Sequence, residues 1–327
     1  MTHIEDELTG QPECWTRATT EVTRFQNELP TEGERVAIVG CGTSYFMARS
    51  AAALREGAGH GETDAHAASE FPYHRTYDRV VALTRSGTTT EVVDLLTRLR
   101  GRTRTTVITA DPGTPVTTAA DHTVVLDHAD ERSVVQTRFA TTALTLLRAH
   151  LGLHTDSVVA DARTALAEPL PEGLVECRQF TFLGRGWTVG LADEAALKMR
   201  EAALAWSEAY PAMEYRHGPI SVTTEGTATW MFGEAPAGLA EQVRATGALW
   251  VQGTLDPLAE LGARPTPRRG GRPGPRPRPG PAAPPHPVGD PRALTCPLRP
   301  PNSLNPLPPG APPSWRTRRP RAPHHHR

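Results

Sequence analysis

The chain has 327 residues with a formal net charge of −1, a length that allows two domains with separate cores. No apolar run reaches the roughly 18 residues that a membrane-spanning helix needs, and the acidic first ten residues lack the apolar stretch of a signal peptide, so we expect neither. The four cysteines have no metal-ligand spacing, which is typical of a protein of the reducing cytoplasm.

Residues 261–327 differ in composition from the rest of the chain. They contain 21 of the 32 prolines, thirteen arginines and a single acid, Asp290, so their formal charge is +12 and that of the remainder is −13. This composition predicts a disordered tail. We favour an out-of-frame or aberrant C-terminus translated from GC-rich DNA. The alternative is a basic arm for nucleic acid or a partner, which we disfavour because Trp315 is the only aromatic residue there.

The first half of the chain predicts helices followed by alternating strands and helices. Residues 1–32 form a helical lead-in, with Trp15 and Phe25 expected in the core. Residues 33–152 then alternate in units whose length predicts a parallel sheet covered by helices. The predicted strands are 36–40, 79–83, 105–109 and 123–126, with a short strand or loop within 61–70. The predicted helices are 44–56, 89–100, 114–120 and 134–151.

The same plan begins again after a linker at 153–174, which contains a helix. Strands are predicted at 179–183, 227–232 and 248–252, helices at 190–206 and 236–246, and an irregular stretch at 211–219. Residues 175–260 therefore predict a second, shorter copy of the first domain type. The fold class is α/β, with two three-layer parallel-sheet domains, helices on both faces of each sheet, the second domain truncated, and a disordered C-terminal tail.

Two hydroxyl-rich segments, residues 39–44 and 84–89, each follow an apolar strand and precede a helix. Backbone N–H groups at such a junction bind anions, and side-chain hydroxyls add donors. Tyr45 replaces the third glycine of a dinucleotide fingerprint, and no lysine follows as in a P-loop. The pair therefore predicts a monophosphate site. The alternative is that the hydroxyls only cap helices. The candidate ligands are Thr43, Ser44, Thr84, Ser86 and Thr89.

The helix predicted at 190–206 carries a second group of candidates. Glu194, Lys198 and Glu201 share one helical face, since they are spaced by four and three residues. Turned inward, this cluster would provide a base with a tuned pKa. Turned outward, it would be a solvated row of ion pairs. His217 precedes Gly218-Pro219 in a turn, where a lone histidine is either catalytic or structural.

Ordered motifs over about residues 33–255 resemble the double sugar isomerase (SIS) domain family, and within it the isomerase half of glucosamine-6-phosphate synthase. The motifs of the first half are GCGTS at 40–44, ASEF at 68–71, TRSGTT at 84–89 and the segment 131–142. Those of the second half are FLGRG at 182–186, EAALKMRE at 194–201, SEAY at 207–210 and HGP at 217–219.

This resemblance implies roles for the candidates. The five hydroxyl residues would hold a sugar phosphate, and the Val134 backbone would contact the sugar. Glu201 would move a proton between C1 and C2, with Lys198 and Glu194 lining the pocket. His217 would assist ring opening and would come from a neighbouring subunit of a homodimer. Beyond the sugar phosphate, no metal, organic cofactor, nucleic acid or membrane partner is implied.

Departures from the resemblance limit the expected activity. No glutamine-hydrolysing domain is recognisable, and no lysine follows Lys198 to form a Schiff base. Arg85 stands where the synthase has glutamine, which would suit a substrate with a further anionic group. We predict an aldose–ketose isomerase of a hexose or aminohexose phosphate. The alternatives are an aminosugar-phosphate deaminase, a non-catalytic phosphosugar-binding regulator, and a poorly folded paralogue with uncovered apolar surface.

Overall fold

A computed structural model describes residues 3–133, 135–153 and 156–263. These residues belong to one compact unit that contains two parallel sheets. The predicted ligand Val134 and the sequence after Ala263, which makes up nearly all of the predicted tail, lie outside the described residues. None of the described helices is long and apolar enough to cross a membrane.

The first sheet has five parallel strands in the order β2-β1-β3-β4-β5. The strands are β1 (Val36–Gly40), β2 (Thr63–Ala67), β3 (Arg79–Leu83), β4 (Arg104–Thr109) and β5 (His122–Val125). Strand β1 lies between β2 and β3, so the two hydroxyl-rich loops follow adjacent strands. The predicted boundaries of β1, β3, β4 and β5 agree with these to within one residue, and β2 forms within 61–70, where the sequence left a strand or a loop.

Helices cover both faces of this sheet. They are α3 (Thr43–Gly57), α4 (Thr90–Leu99), α5 (Pro115–Ala119) and α6 (Arg138–His150), and two N-terminal helices, α1 (His3–Thr9) and α2 (Gln11–Glu21), precede the sheet. Alternate strand residues point to opposite faces. Ile38 and Val81 therefore pack in the core on one side, and Val39 and Val80 pack in a second core with α4 on the other side.

The second sheet has four parallel strands in the order β7-β6-β8-β9. The strands are β6 (Gln179–Gly184), β7 (Trp206–Pro211), β8 (Thr227–Met231) and β9 (Leu249–Gln252). The remaining helices are α7 (Asp156–Ala167), α8 (Thr188–Ala203), α9 (Leu239–Ala245) and α10 (Pro257–Ala263). Phe182 on β6 packs against Trp230 and Phe232 in the same core as Ile38, so one apolar core joins the two sheets.

The prediction around residues 203–211 was wrong. The helix expected to run to 206 ends at Ala203, and Trp206 begins strand β7. Leu204 ends the helix in a left-handed conformation, with φ of 52°, which a helical periodicity does not reveal. Helix α10 was not predicted either, and α6 begins at Arg138 rather than near residue 134.

Helices α3 and α8 form the closest contact between the two halves. A Cβ atom on Gly190 would lie 2.3 Å from the Phe46 carbonyl oxygen and 2.4 Å from Ser50 Oγ, so only glycine fits there. Asp193, further along α8, pairs with Arg49. Because the Gly190 end of α8 meets the middle of α3 while Glu194 contacts Thr43 at its start, the two helices run antiparallel.

We expect Gly190→Ala to lower the free energy of unfolding by about 1–3 kcal/mol, because the added methyl group overpacks a contact with backbone. Denaturant titration would measure the loss. Gly57→Ala is the matched control, since a Cβ there meets nothing within 4 Å and alanine favours the helix. Equal denaturation midpoints for wild type and Gly190→Ala would contradict the close crossing.

Candidate functional site

The first hydroxyl-rich loop connects β1 to α3 in a tight turn. A Cβ atom on Gly40 would lie 2.6–2.8 Å from atoms of Ser44 and Tyr45, and Gly42 has φ of 53°. Both positions therefore need glycine. The turn brings the N-terminus of α3 directly against the end of β1, with Thr43 and Ser44 buried. The N–H groups of Ser44, Tyr45 and Phe46 bond to the carbonyl oxygens of the loop, so it is the positive end of the helix dipole that favours an anion there.

The second hydroxyl-rich loop follows β3 and lies beside the first loop, because β1 and β3 are adjacent strands. The Thr84 and Thr89 hydroxyls lie 3.3 Å apart, and Ser86 Oγ accepts from Thr88 Oγ1 at 3.1 Å. Gly87 has φ of 60°, and a Cβ there would lie 1.9 Å from Thr114 Oγ1. The structure thus gathers the predicted hydroxyl residues at the carboxyl edge of the first sheet, where parallel α/β sheets bind ligands.

A buried ion pair on α8 faces this edge. Lys198 Nζ lies 2.6 Å from Glu194 Oε1, and that same oxygen accepts a hydrogen bond of 3.1 Å from Thr43 Oγ1. Glu194 is 1% exposed and Lys198 is 8% exposed. A solvated row of ion pairs is therefore excluded for these two residues. The contact also shows that the Thr43 hydroxyl, predicted as a phosphate ligand, bonds to Glu194.

The environment of Glu194 disfavours its charge. Burial raises the pKa of this carboxyl, the Lys198 ammonium and the Thr43 hydroxyl lower it, and the Glu201 carboxylate raises it again. Glu201 lies three residues beyond Lys198 on the same helix, and its side chain is exposed. Glu194 Oε2 is buried and has no hydrogen-bond partner among the described residues. The cluster therefore keeps one unused acceptor beside the loops.

Residues 130–133 and 135–137 close a third side of the site. Lys198 Nζ donates to the Gln136 carbonyl oxygen. Arg85, from the second loop, donates to the Glu131 carbonyl oxygen and lies 3.6 Å from Asp130. Thus the arginine that the sequence suggested for an extra substrate anion holds this segment in place. Neither Gln136 nor this role of Arg85 was predicted, because no local pattern indicates a contact between segments so far apart in the chain.

His217 lies at the opposite edge of the second sheet from Glu201. Strand β7 starts beside Gln179 and ends beside Gly184, so α8, which follows Gly184, runs back to the starting edge and carries Glu201 there. His217 follows the end of β7, and its neighbour Arg216 bonds to Ala237 O just past β8. Helix α8 from Thr188 to Glu201 spans about 20 Å. One chain therefore does not bring His217 to Glu201.

Other candidate chemistry is weaker. Burial is the main cause that raises the pKa of the Cys41 thiol inside the first loop, which favours packing over nucleophilic chemistry. Across 3–133, 135–153 and 156–263, no three His, Cys, Asp or Glu side chains are grouped to hold a metal ion.

Comparison with known proteins gives a family match for part of the chain. The SIS domain family model matches residues 31–151. These residues form a SIS domain. Glutamine–fructose-6-phosphate aminotransferase [isomerizing] of Chlamydia muridarum is 31% identical over 232 residues, or 62% of this chain. The enzyme of that name from Methanothermobacter thermautotrophicus is 28% identical over 212 residues. The match spans only 38% and 36% of the lengths of these relatives.

Solved structures extend the likeness beyond the SIS domain. Glucosamine-6-phosphate deaminase from Thermotoga maritima is 25% identical with a TM-score of 0.67, and the match covers 82% of this chain and 92% of that one. Tagatose-6-phosphate ketose/aldose isomerase from Escherichia coli shares the fold, with a TM-score of 0.66 and 21% identity. That match covers 80% of this chain and 84% of the isomerase chain. Both sheets thus belong to an architecture found in phosphosugar enzymes.

We expect Glu194→Gln to change how stability depends on pH. A raised pKa means that the folded state binds this proton more tightly than the unfolded chain does. The contribution of Glu194 to stability is therefore present below its ordinary pKa of 4.5 and is lost as the pH rises through the raised folded value. Urea unfolding at a series of pH values should show that, as the pH rises from acidic to neutral, the free energy of unfolding of wild type falls relative to that of Glu194→Gln.

The exposed Glu241 on α9 provides the control for this measurement. Glu241→Gln should follow the wild-type dependence on pH. Parallel curves for wild type and Glu194→Gln would mean that the carboxyl titrates alike in the folded and unfolded states, contrary to its burial.

Proposed function

We propose that this protein binds a hexose or aminohexose phosphate and interconverts its aldose and ketose forms through an enediol. The buried Glu194–Lys198 pair in contact with Thr43 carries the proposal, because it joins an acid–base cluster of one half to the hydroxyl-rich loops of the other. The curated relatives named as isomerizing aminotransferases, and the ketose/aldose isomerase of the same fold, support this reaction class.

The phosphate would bind at the carboxyl edge of the first sheet. The N-termini of α3 and α4 converge there with the hydroxyls of Ser44, Thr84, Ser86 and Thr89. No lysine occurs in these loops, so neutral donors and helix dipoles would carry the binding. This arrangement suits one phosphate at the end of an open-chain sugar whose reacting carbons extend toward α8.

Proton transfer would occur at the end of α8. Glu201 is the proposed base that moves the proton between C1 and C2, since its exposed carboxylate lies one turn beyond Lys198. The Lys198 ammonium has three N–H donors. Glu194 and Gln136 O accept two of them, and the third can stabilise the enediolate oxygen.

We expect Glu201→Gln to abolish exchange of the C1 or C2 proton while sugar-phosphate binding persists, because only the proton acceptor is lost. The protein would be incubated in D₂O with fructose-6-phosphate, glucose-6-phosphate and glucosamine-6-phosphate, and deuterium would be followed by NMR. Glu241→Gln is the control and should exchange like wild type. Label entering a sugar at the wild-type rate with Glu201→Gln would reject the assigned base.

Ring opening would require a second copy of the chain. Glu201 and His217 occupy opposite edges of one sheet, so His217 can act at this site only when another copy presents it. We therefore propose a homodimer in which each site combines Glu201 of one chain with His217 of the other. The exposed position of His217 agrees with such a contact.

Mixing two inactive variants tests this arrangement. Glu201→Gln and His217→Ala each damage both sites of their own dimers. Random reassociation at equal amounts places one intact site in half of the dimers, so we expect about a quarter of wild-type exchange activity to return. Ring-closed substrate would be used, so that the His217 step contributes to the rate. No gain over the separate variants, with subunit exchange verified by differently tagged chains, would show that both residues serve one chain's site.

A second candidate reaction is deamination of an aminosugar phosphate. The similarity to the Thermotoga maritima deaminase supports this reaction, since the two chains are 25% identical and the match covers 92% of the deaminase chain. Ammonia release from glucosamine-6-phosphate would distinguish it from isomerisation, which releases none. Binding of sugar phosphates without label or ammonia would instead identify a phosphosugar-binding regulator.

A further inference from the structure

Glu7 is a buried carboxylate that the proposed reaction does not use. It lies on α1, in the segment that the sequence marks only as a helical lead-in, and is 4% exposed. Its Oε1 accepts from the backbone N–H groups of Arg132, at 2.6 Å, and Ser133, at 3.1 Å, and its Oε2 accepts from the Ser133 hydroxyl. A carboxylate 125 residues away in sequence therefore holds Arg132 and Ser133, at one end of the segment 132–137, in which the structure describes every residue but Val134.

Gln11 fixes the other end of that segment. Its side chain is fully buried, and Nε2 donates to the Thr137 carbonyl oxygen at 3.2 Å and to the Gly262 carbonyl oxygen at 3.0 Å. The N-terminal helices thus hold the segment 132–137 at both ends, and through Gly262 they also contact α10, which follows the second sheet.

The segment itself leads to the proposed site. Glu131 accepts at its carboxylate from the N–H groups of Thr137, Arg138 and Phe139 and so holds the start of α6. Directly before Thr137, the Gln136 carbonyl oxygen accepts from Lys198 Nζ. A displacement of residues 132–137 would therefore move or release the ammonium that pairs with Glu194.

We propose that Glu7 is a positioning residue for the reaction, assisted by Gln11. It holds the segment 132–137 so that Gln136 O directs Lys198 toward the reacting carbons. The inference rests on the proposed isomerase function. It also gives the N-terminal helices a part in the site, because Glu7 and Gln11 bond to residues that lie 125 and 126 positions further along the chain.

The test compares full-length variants in the deuterium exchange assay. Glu7→Ala removes both acceptor oxygens, and we expect kcat to fall about 10²-fold, as for a small misplacement of a reacting group. KM should change by less than about threefold, because the hydroxyl-rich loops that bind phosphate are untouched. Glu7→Gln keeps one oxygen for the two N–H groups and should restore most of kcat. The adjacent, exposed Asp6 supplies the control, Asp6→Ala.

Ser133→Ala is a milder second variant in case Glu7→Ala does not fold. It deletes only the hydroxyl contact with Glu7, and we expect kcat to fall about tenfold at unchanged KM. Unchanged kcat in folded Glu7→Ala, or in Ser133→Ala, would overturn the positioning role. The positioning role would also be overturned if Glu7→Gln lowered kcat as much as Glu7→Ala does. Absence of label with wild type and every sugar tested would instead reject the isomerase function, and the positioning role with it.

Discussion

The antiparallel crossing of α3 and α8 is the constraint on which the proposed site depends. Gly190 lets the two helices approach until a side chain would collide with the Phe46 carbonyl oxygen. Because the helices run in opposite directions, the C-terminal half of α8 lies beside the start of α3. That places acidic and basic residues of one sheet's helix at the carboxyl edge of the other sheet, with Glu194 bonded to Thr43.

Burying an ion pair at this junction is costly unless its remaining polar atoms find partners. Here the Thr43 hydroxyl and the Gln136 carbonyl oxygen meet most of that need, and Glu194 Oε2 is left without a described partner. Such a pair adds little net stability compared with apolar residues of similar size, but breaking it by removing one partner is expensive. Its position beside a hydroxyl-rich loop is better explained by chemistry than by stability.

A chain of contacts surrounds the site and joins parts of the sequence that are far apart. From the hydroxyl-rich loops it passes through Arg85 to Glu131, and from the Glu131 carboxylate to Thr137. It continues through the adjacent Gln136 O to Lys198, and through Glu194 back to Thr43. The N-terminal helices brace this segment from outside through Glu7 and Gln11. A change in the N-terminal helices can therefore reach the Glu194–Lys198 pair without touching the hydroxyl-rich loops.

The sequence by itself predicted every strand except β7, with β2 left as a strand or a loop, together with the order of most helices and the place of both hydroxyl-rich loops after β1 and β3. Buried parallel strands such as Val36–Gly40 are continuous apolar runs in the sequence. Glycines and hydroxyl residues at a strand–helix junction predict a tight polar turn from neighbouring residues alone. The spacing of Glu194, Lys198 and Glu201 likewise determined that they share a helical face. Tertiary structure alone decided that Glu194 and Lys198 are buried, that His217 lies at the far edge, and that Glu7 reaches the segment 132–137. These facts depend on how helices cross and on which strands are neighbours, and such long-range contacts leave no periodic pattern in the sequence.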